Sequence, residues 1–191
     1  MGVSGSGKTT LANNLAIVLN GKAYDADDFH DPASVAKMRA GVPLTDADRA
    51  PWLRALNRLL HSYAATDTRG DAIDALACAS PNGTDDTDDT DGSGAPAGPV
   101  VLACSALKAS YREEIFRGIE ATRLIFLDGD YETIAARIRE RSATTSHYMP
   151  EALLRSQFDA LERPSAAICI DVTLPPEAQL KCALYALNLA G

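Results

Sequence analysis

The chain has 191 residues, of which 46% are apolar and 23% charged, and a formal net charge of −8. That length suits one globular domain able to bury roughly 70% of its unfolded surface; the composition excludes a wholly disordered chain, and no apolar run approaches the roughly 18 residues of a membrane span. Eight of the aspartates, offset only by Arg69, fall between Ala64 and Pro99, so the rest of the chain is near neutral and carries no broad basic face for nucleic acid.

The chain opens on its most informative segment. Gly2-Val3-Ser4-Gly5-Ser6-Gly7-Lys8-Thr9 fits GxxxxGK[ST], a spacing in which glycines let the backbone curl so that successive N–H groups face phosphate oxygens at the start of a helix. Gly2, Ser4, Gly5, Ser6, Gly7, Lys8, Thr9 and Thr10 are therefore candidate nucleotide contacts. Lys8 would neutralise the β and γ phosphates, and Thr9 would ligate Mg²⁺. Leu11, Leu15 and Leu19 share one face of the helix that follows. A short strand ending at Ala23-Tyr24 leads into Asp25-Ala26-Asp27-Asp28. In a parallel sheet these carboxylates lie at the same crevice as the phosphates. Two acids two residues apart can divide the work, one on the metal side and one accepting the proton of an attacking hydroxyl.

Further along, Asp31-Pro32, Thr45 with Asp48, and Pro150-Glu151 read as helix starts. Helical faces recur at Trp52, Leu56, Leu59 and Leu60; at Leu107, Tyr111 and Ile115; at Ile134 and Ile138; at Leu154, Phe158 and Leu161; and at Leu180, Leu184 and Leu187. Strand-length apolar runs lie at Val100 to Cys104, Leu124 to Leu127 and Ala167 to Val172. Alternating strands and helices predict a three-layer α/β/α domain with a parallel sheet. The segment from Ala64 to Pro99 reads instead as a disordered acidic surface insertion, with a transient helix at most over Ala72 to Ala79, because its composition buries too little to offset backbone ordering. The four cysteines (78, 104, 169, 182) show no CxxC pair and read as buried reduced thiols of a cytoplasmic protein.

A phosphate loop alone leaves several enzyme classes open. The short chain and the lack of an NKxD guanine-reading motif leave a small-molecule kinase in front. The stretches MGVSGSGKTT (1 to 10), YDADDFH (24 to 30), AKMRAGVPLTDADRAPWL (36 to 53), ACSALKASYRE (103 to 113), HYMP (147 to 150) and LLRSQFDALERP (153 to 164) together resemble the gluconate kinases, small phosphate-loop enzymes related to shikimate and nucleoside monophosphate kinases. The PLTDADRxPWL and CSALKxxYR blocks are the specific ones.

The resemblance implies phosphorylation of D-gluconate at its C6 hydroxyl by ATP with Mg²⁺, a P-loop kinase fold with strand order 2-3-1-4-5, and a homodimer. Asp27 would orient the hydroxyl and take its proton, and Asp25 would be the magnesium-side acid. A sugar acid needs fixed cations and donors, which His30, Lys37, Arg49, Lys108 and Arg112 can supply. Each also has a plainer reading: Arg49 paired with Asp46 or Asp48, Lys37 solvated, His30 packing a turn, Lys108 and Arg112 as a surface pair. Trp52 and Met38 read as core, and Gln157 either reaches the substrate or serves the structure. Arg137 and Arg141, one turn apart, would belong to a lid spanning about 137 to 150 and close over the phosphates; the spacing from Arg141 to His147 departs from the family's by about three residues, which leaves lid length open. The rivals are a kinase for another sugar acid or a polyol, and a non-catalytic nucleotide-binding protein. A phosphate loop normally hangs from a buried central strand; residues 1 to 191 begin at Met1-Gly2, so that strand is expected to be lacking, and the chain to be weakly stable for want of it.

Overall fold

The computed structural model describes residues 1–64, 98–120, 122–144 and 151–188. The acidic insertion, within it the helix expected at Ala72 to Ala79 and Cys78, lies almost wholly outside these residues, as do residues 145 to 150 of the expected lid with His147. The elements in chain order are α1 (Lys8–Val18), β1 (Lys22–Asp25), a 3₁₀ turn (Ala26–Phe29), α2 (Pro32–Arg39), α3 (Asp46–Ala64), β2 (Val100–Ala103), α4 (Ala109–Phe116), β3 (Ile125–Asp128), α5 (Tyr131–Thr144), α6 (Glu151–Asp159), β4 (Ile168–Asp171) and α7 (Pro176–Ala186).

The expected helix starts form through local hydrogen bonds. At α2, Asp31 accepts from the N–H groups of Ala33 and Ser34 at 2.9 and 3.0 Å, with Pro32 at the first helical position. At α3, the Thr45 N–H donates to the Asp48 carboxylate at 2.9 Å and the Asp48 N–H returns a bond to the Thr45 hydroxyl at 3.2 Å, the reciprocal pattern of a capping box.

The strand pairing among the described residues is parallel. In one ladder β1 runs beside β2 in the register Lys22↔Val100 to Asp25↔Ala103; in the other β3 runs beside β4 from Ile125↔Ile168 to Asp128↔Asp171. Among the described residues the two ladders are separate sheets, so the expected five-strand order is not read out of them. The backbone leading into the phosphate loop lies along β3: the Met1 amine donates to the Ile125 carbonyl, and the Leu127 N–H donates to the Met1 carbonyl at 2.9 Å.

Two apolar clusters hold the layers together. One joins Val3, Leu11 and Leu15 to Leu127, Ile134, Leu154, Ile170, Val172 and Ala183, with Val101 of β2 packed against it; α1 thus ties the first ladder to the second through side chains. The other gathers Trp52, Leu53, Leu56 and Leu60 of α3 with Tyr111 and Ile115 of α4, under Val100 and Leu102. β2 therefore feeds alternate residues to opposite layers, as its pleat requires.

Three expected burials fail, those of Met38, Cys169 and Cys182. Met38 is 42% exposed, because α2 buries only Ser34 and is too peripheral to share the core with Trp52. Of the thiols, Cys104 is buried, but Cys169 and Cys182 are exposed and free; on β4 the buried residue is Ile170, and Cys169 takes the opposite face. No described helix is long and apolar enough to cross a membrane.

Candidate active site

The phosphate loop owes its shape to glycine. Gly5 has φ +82°, and a Cβ there would lie 2.7 Å from Cγ1 of Ile138, so α5 seats directly against the loop. Gly7, at φ 95°, ends the loop in the left-handed region and precedes Lys8 with no side-chain cap. The first turn of α1 therefore meets the crevice with its amides uncapped by any side chain, and the helix dipole adds to them.

Lys8 folds back over this loop, its Nζ donating to the Val3 carbonyl at 2.9 Å. Burial pushes its pKa down from the ordinary value, with Asp27, Cys104 and Asp25 pulling the other way. The Cys104 thiol beneath is pushed up to about 12, mainly by burial, which keeps it protonated and unreactive.

The acids stand at the C-terminal end of β1. Thr9 Oγ1 donates to Asp25 Oδ2 at 2.8 Å, and the Asp27 N–H donates to Asp25 Oδ1 at 3.1 Å. Asp25 thus links the start of α1 to the 3₁₀ turn carrying Asp27 and fixes both. The Asp27 side chain remains exposed at its surface, yet it is crowded enough that desolvation, then the neighbouring Asp25, raise its pKa above the usual 3.8; His30 and Lys8 oppose the shift. A carboxylate with a raised pKa beside a desolvated ammonium is a fit pair for proton acceptance and charge stabilisation.

His30 closes this side. Its ring stacks on Trp52, centroids 4.6 Å apart and planes 9° from parallel, while Trp52 Nε1 donates to the Ala26 carbonyl at 2.7 Å. Burial lowers the His30 pKa from 6.5, Asp27 raises it and Arg49 lowers it, so all three share one electrostatic neighbourhood. Its Nδ1 is buried without a hydrogen-bond partner.

Two of the other expected substrate contacts, Lys108 and Arg49, gather around Asp46. Lys108 Nζ donates to the Asp46 carboxylate at 3.0 and 3.1 Å, the Tyr111 hydroxyl donates to the same carboxylate, and Arg49 lies 3.8 Å from it while donating to the Leu44 carbonyl at 2.5 Å. Lys37 pairs with Asp48 at 2.7 Å, and that contact first, then Thr45, holds the Asp48 carboxyl down to about 2. Arg112 turns inward, donating to the Ala106 and Leu107 carbonyls at 3.0 and 3.1 Å. Of the five residues expected at a sugar acid, His30 stands with Asp27, Arg49 bridges the two groups, and Lys37, Lys108 and Arg112 are engaged within the protein.

On the far side of the loop, a cavity of about 350 Å³ is lined by Gly7, Thr10, Leu11, Arg137, Leu174 and Pro175, among others. Arg137 donates to the Val172 carbonyl, and Gln179 holds the same turn through the Val172 and Leu174 carbonyls at 3.2 and 2.8 Å. Sequence reasoning passed over the Thr173–Pro176 turn and Gln179. The only local signal was Pro175-Pro176 opening a helix straight after a strand. Arg141 is exposed one turn beyond Arg137 on α5.

No protein-family model matches the chain. It is 39% identical over 166 residues to the thermosensitive gluconokinase of Escherichia coli K12, covering 87% of this chain and 71% of that protein. A crystal structure of a sugar kinase from Janibacter sp. HTCC2649 superposes with a TM-score of 0.76 at 34% identity, covering 100% of this chain and 92% of that one. A gluconokinase structure from Sinorhizobium meliloti 1021 gives a TM-score of 0.74 at 31% identity, covering 98% and 89%.

Proposed function

The chain belongs to the gluconokinase family, and from that premise we propose that it transfers the γ-phosphoryl group of ATP to the C6 hydroxyl of D-gluconate, giving 6-phospho-D-gluconate and ADP. The observation that carries the reading is the chain of contacts from Thr9 through Asp25 to Asp27 beside the desolvated Lys8. It supports a phosphate cradle and a proton acceptor that share one crevice.

The loop amides and Lys8 grip the phosphates, and the purine seats in the cavity between Leu11, Arg137 and the Thr173–Pro176 turn, whose apolar walls suit a flat ring. Arg137 then serves the nucleobase end of the nucleotide, and Arg141, one turn further along α5, serves a lid over the phosphates. Thr9 and Asp25 fit Mg²⁺: an alcohol and a carboxylate 2.8 Å apart are hard oxygen donors, and this ion ordinarily takes one or two protein ligands, completing its shell with water and phosphate. When bound, it would neutralise charge on the β and γ phosphates. The C6 oxygen of gluconate attacks the γ-phosphorus in line, its proton passes to Asp27, and the bond to the β-phosphate oxygen breaks. His30 and Arg49 hold the acceptor from the Asp27 side. Lys37, Lys108 and Arg112 reach it only by giving up their present partners.

A coupled assay for ADP release tests the reading. Gluconate-dependent turnover supports it, turnover only with another sugar acid or a polyol replaces the acceptor, and nucleotide binding without turnover sinks the enzyme reading. The pH profile offers a second check. Asp27 accepts a proton only when ionised, and its pKa lies above 3.8, so kcat/KM should fall as pH drops through a midpoint higher than that of an ordinary aspartate. An acid limb at or below the ordinary value would remove Asp27 from the role of base.

A further inference from the structure

The Val3–Ser4 peptide unit is gripped at both ends. Its carbonyl accepts from Lys8 Nζ at 2.9 Å, and its N–H donates to Gln157 Oε1 at 2.7 Å. Gln157 reaches the same residue a second time, its Nε2 donating to Ser4 Oγ at 3.0 Å. One side-chain amide, 153 residues away in sequence, thus satisfies both its acceptor and its donor on a single residue of the phosphate loop.

The helix that carries this amide is itself well anchored. Leu154 of α6 is 2% exposed in the core, and Phe158 packs edge-on to Tyr131 with ring centroids 5.5 Å apart. Just past the helix, the Glu162 N–H donates to the Leu107 carbonyl at 2.9 Å, and the Glu162 carboxylate accepts from the Ala109 N–H at 2.6 Å. A loop held by a fixed helix takes its orientation from the helix.

We propose that Gln157 is a positioning residue for phosphoryl transfer: it sets the plane of the Val3–Ser4 peptide and the direction of the Ser4 hydroxyl, and so fixes the end of the phosphate loop that meets the transferred group. This inference rests on the kinase reading above. Lys8 is the residue of the loop that serves the β and γ phosphates, and its resting acceptor is the Val3 carbonyl. Once its ammonium moves to phosphate oxygens, the Val3 carbonyl retains the longer bond from the Ser6 N–H, at 3.3 Å, and Gln157 supplies the shorter restraint on this peptide, at 2.7 Å. A peptide plane free to rotate would swing its dipole against the incoming charge. The Ser4 hydroxyl, accepting from Nε2, keeps its own proton to donate toward the nucleotide.

The test is Gln157→Met, which preserves side-chain length and removes both hydrogen bonds. The full-length variant should show kcat lowered about tenfold or more, with the ADP dissociation constant within about twofold of the unmodified protein. Ser4→Ala, which loses only the hydroxyl contact, should lower kcat by a smaller factor. In the double variant the two losses should fail to multiply, because both act through Ser4. A kcat within twofold of the unmodified protein, an ADP affinity weakened as much as kcat, or fully multiplicative losses would each overturn the proposal. If the unmodified protein does not turn over gluconate, the kinase reading fails, and nucleotide affinities alone then decide on Gln157. Weakened binding of a non-hydrolysable ATP analogue with ADP unchanged supports it, and equal effects on both refute it. Should Gln157→Met not fold, Gln157→Asn, whose amide is one methylene too short to make both bonds to Ser4, carries the same comparison of kcat with ADP affinity.

Discussion

Lys8→Ala is expected to abolish phosphoryl transfer, lowering kcat by about 10³ or more, the scale on which a single well-placed cation acts on a transferring phosphoryl group. The reason lies in where its ammonium is held. Burial has already stripped part of its hydration, which is why its pKa is lowered, and a partly desolvated charge acts on phosphate oxygens through a lower effective dielectric than a surface lysine does. Among the described residues its hydrogen-bond acceptor is the Val3 carbonyl, a neutral group that the charged phosphates readily outcompete. Lys8→Met separates charge from bulk. It keeps most of the packing and removes a cation that is costly to bury, so thermal stability should be unchanged or higher while activity is lost. The check is steady-state ADP release beside a thermal melt. Activity above about one-hundredth of the original would detach the loop lysine from the chemistry.

Asp27→Asn is the second large effect. The amide keeps size and shape but cannot accept the proton of the C6 hydroxyl, and loss of a general base lowers kcat by at least about 10². ATP affinity should hold, because the phosphate contacts come from the loop and from Lys8. The acid limb assigned to Asp27 should vanish in the same variant. Asp25 is the proper comparison: it holds Thr9 and the Asp27 amide at once, so Asp25→Asn should weaken nucleotide binding as well as turnover. An unchanged kcat in Asp27→Asn would move the base elsewhere.

The parts of this site that could be read from the sequence are those whose partners lie close in the chain. Gly2 to Thr9 is a contiguous cradle, Thr45 and Asp48 cap one helix across three residues, and the helical faces of α1, α3 and α4 follow from their periods. What escaped was set by contacts between distant segments. Arg137 reads as a lid arginine because it precedes a polar stretch, and the Val172 carbonyl to which it donates lies 35 residues on. Lys108 reads as a substrate donor or as half of a surface pair with Arg112, and only the packing of α4 on α3 sets Asp46 against it, across a separation of 62 residues. Cys169 lies in an apolar run whose two faces cannot be told apart before the neighbouring layers are known. Gln157 left both its readings open, and only the fold brings it to Ser4.

The stack of His30 on Trp52 has a practical consequence. The chain contains one tryptophan, and it lies with its indole nitrogen tied to the peptide between the two acids and an imidazole flat against its ring. Every photon of indole emission therefore originates beside the proposed catalytic acids, so the molecule carries its own optical gauge of events there, with no label to attach and no second fluorophore of its kind to subtract.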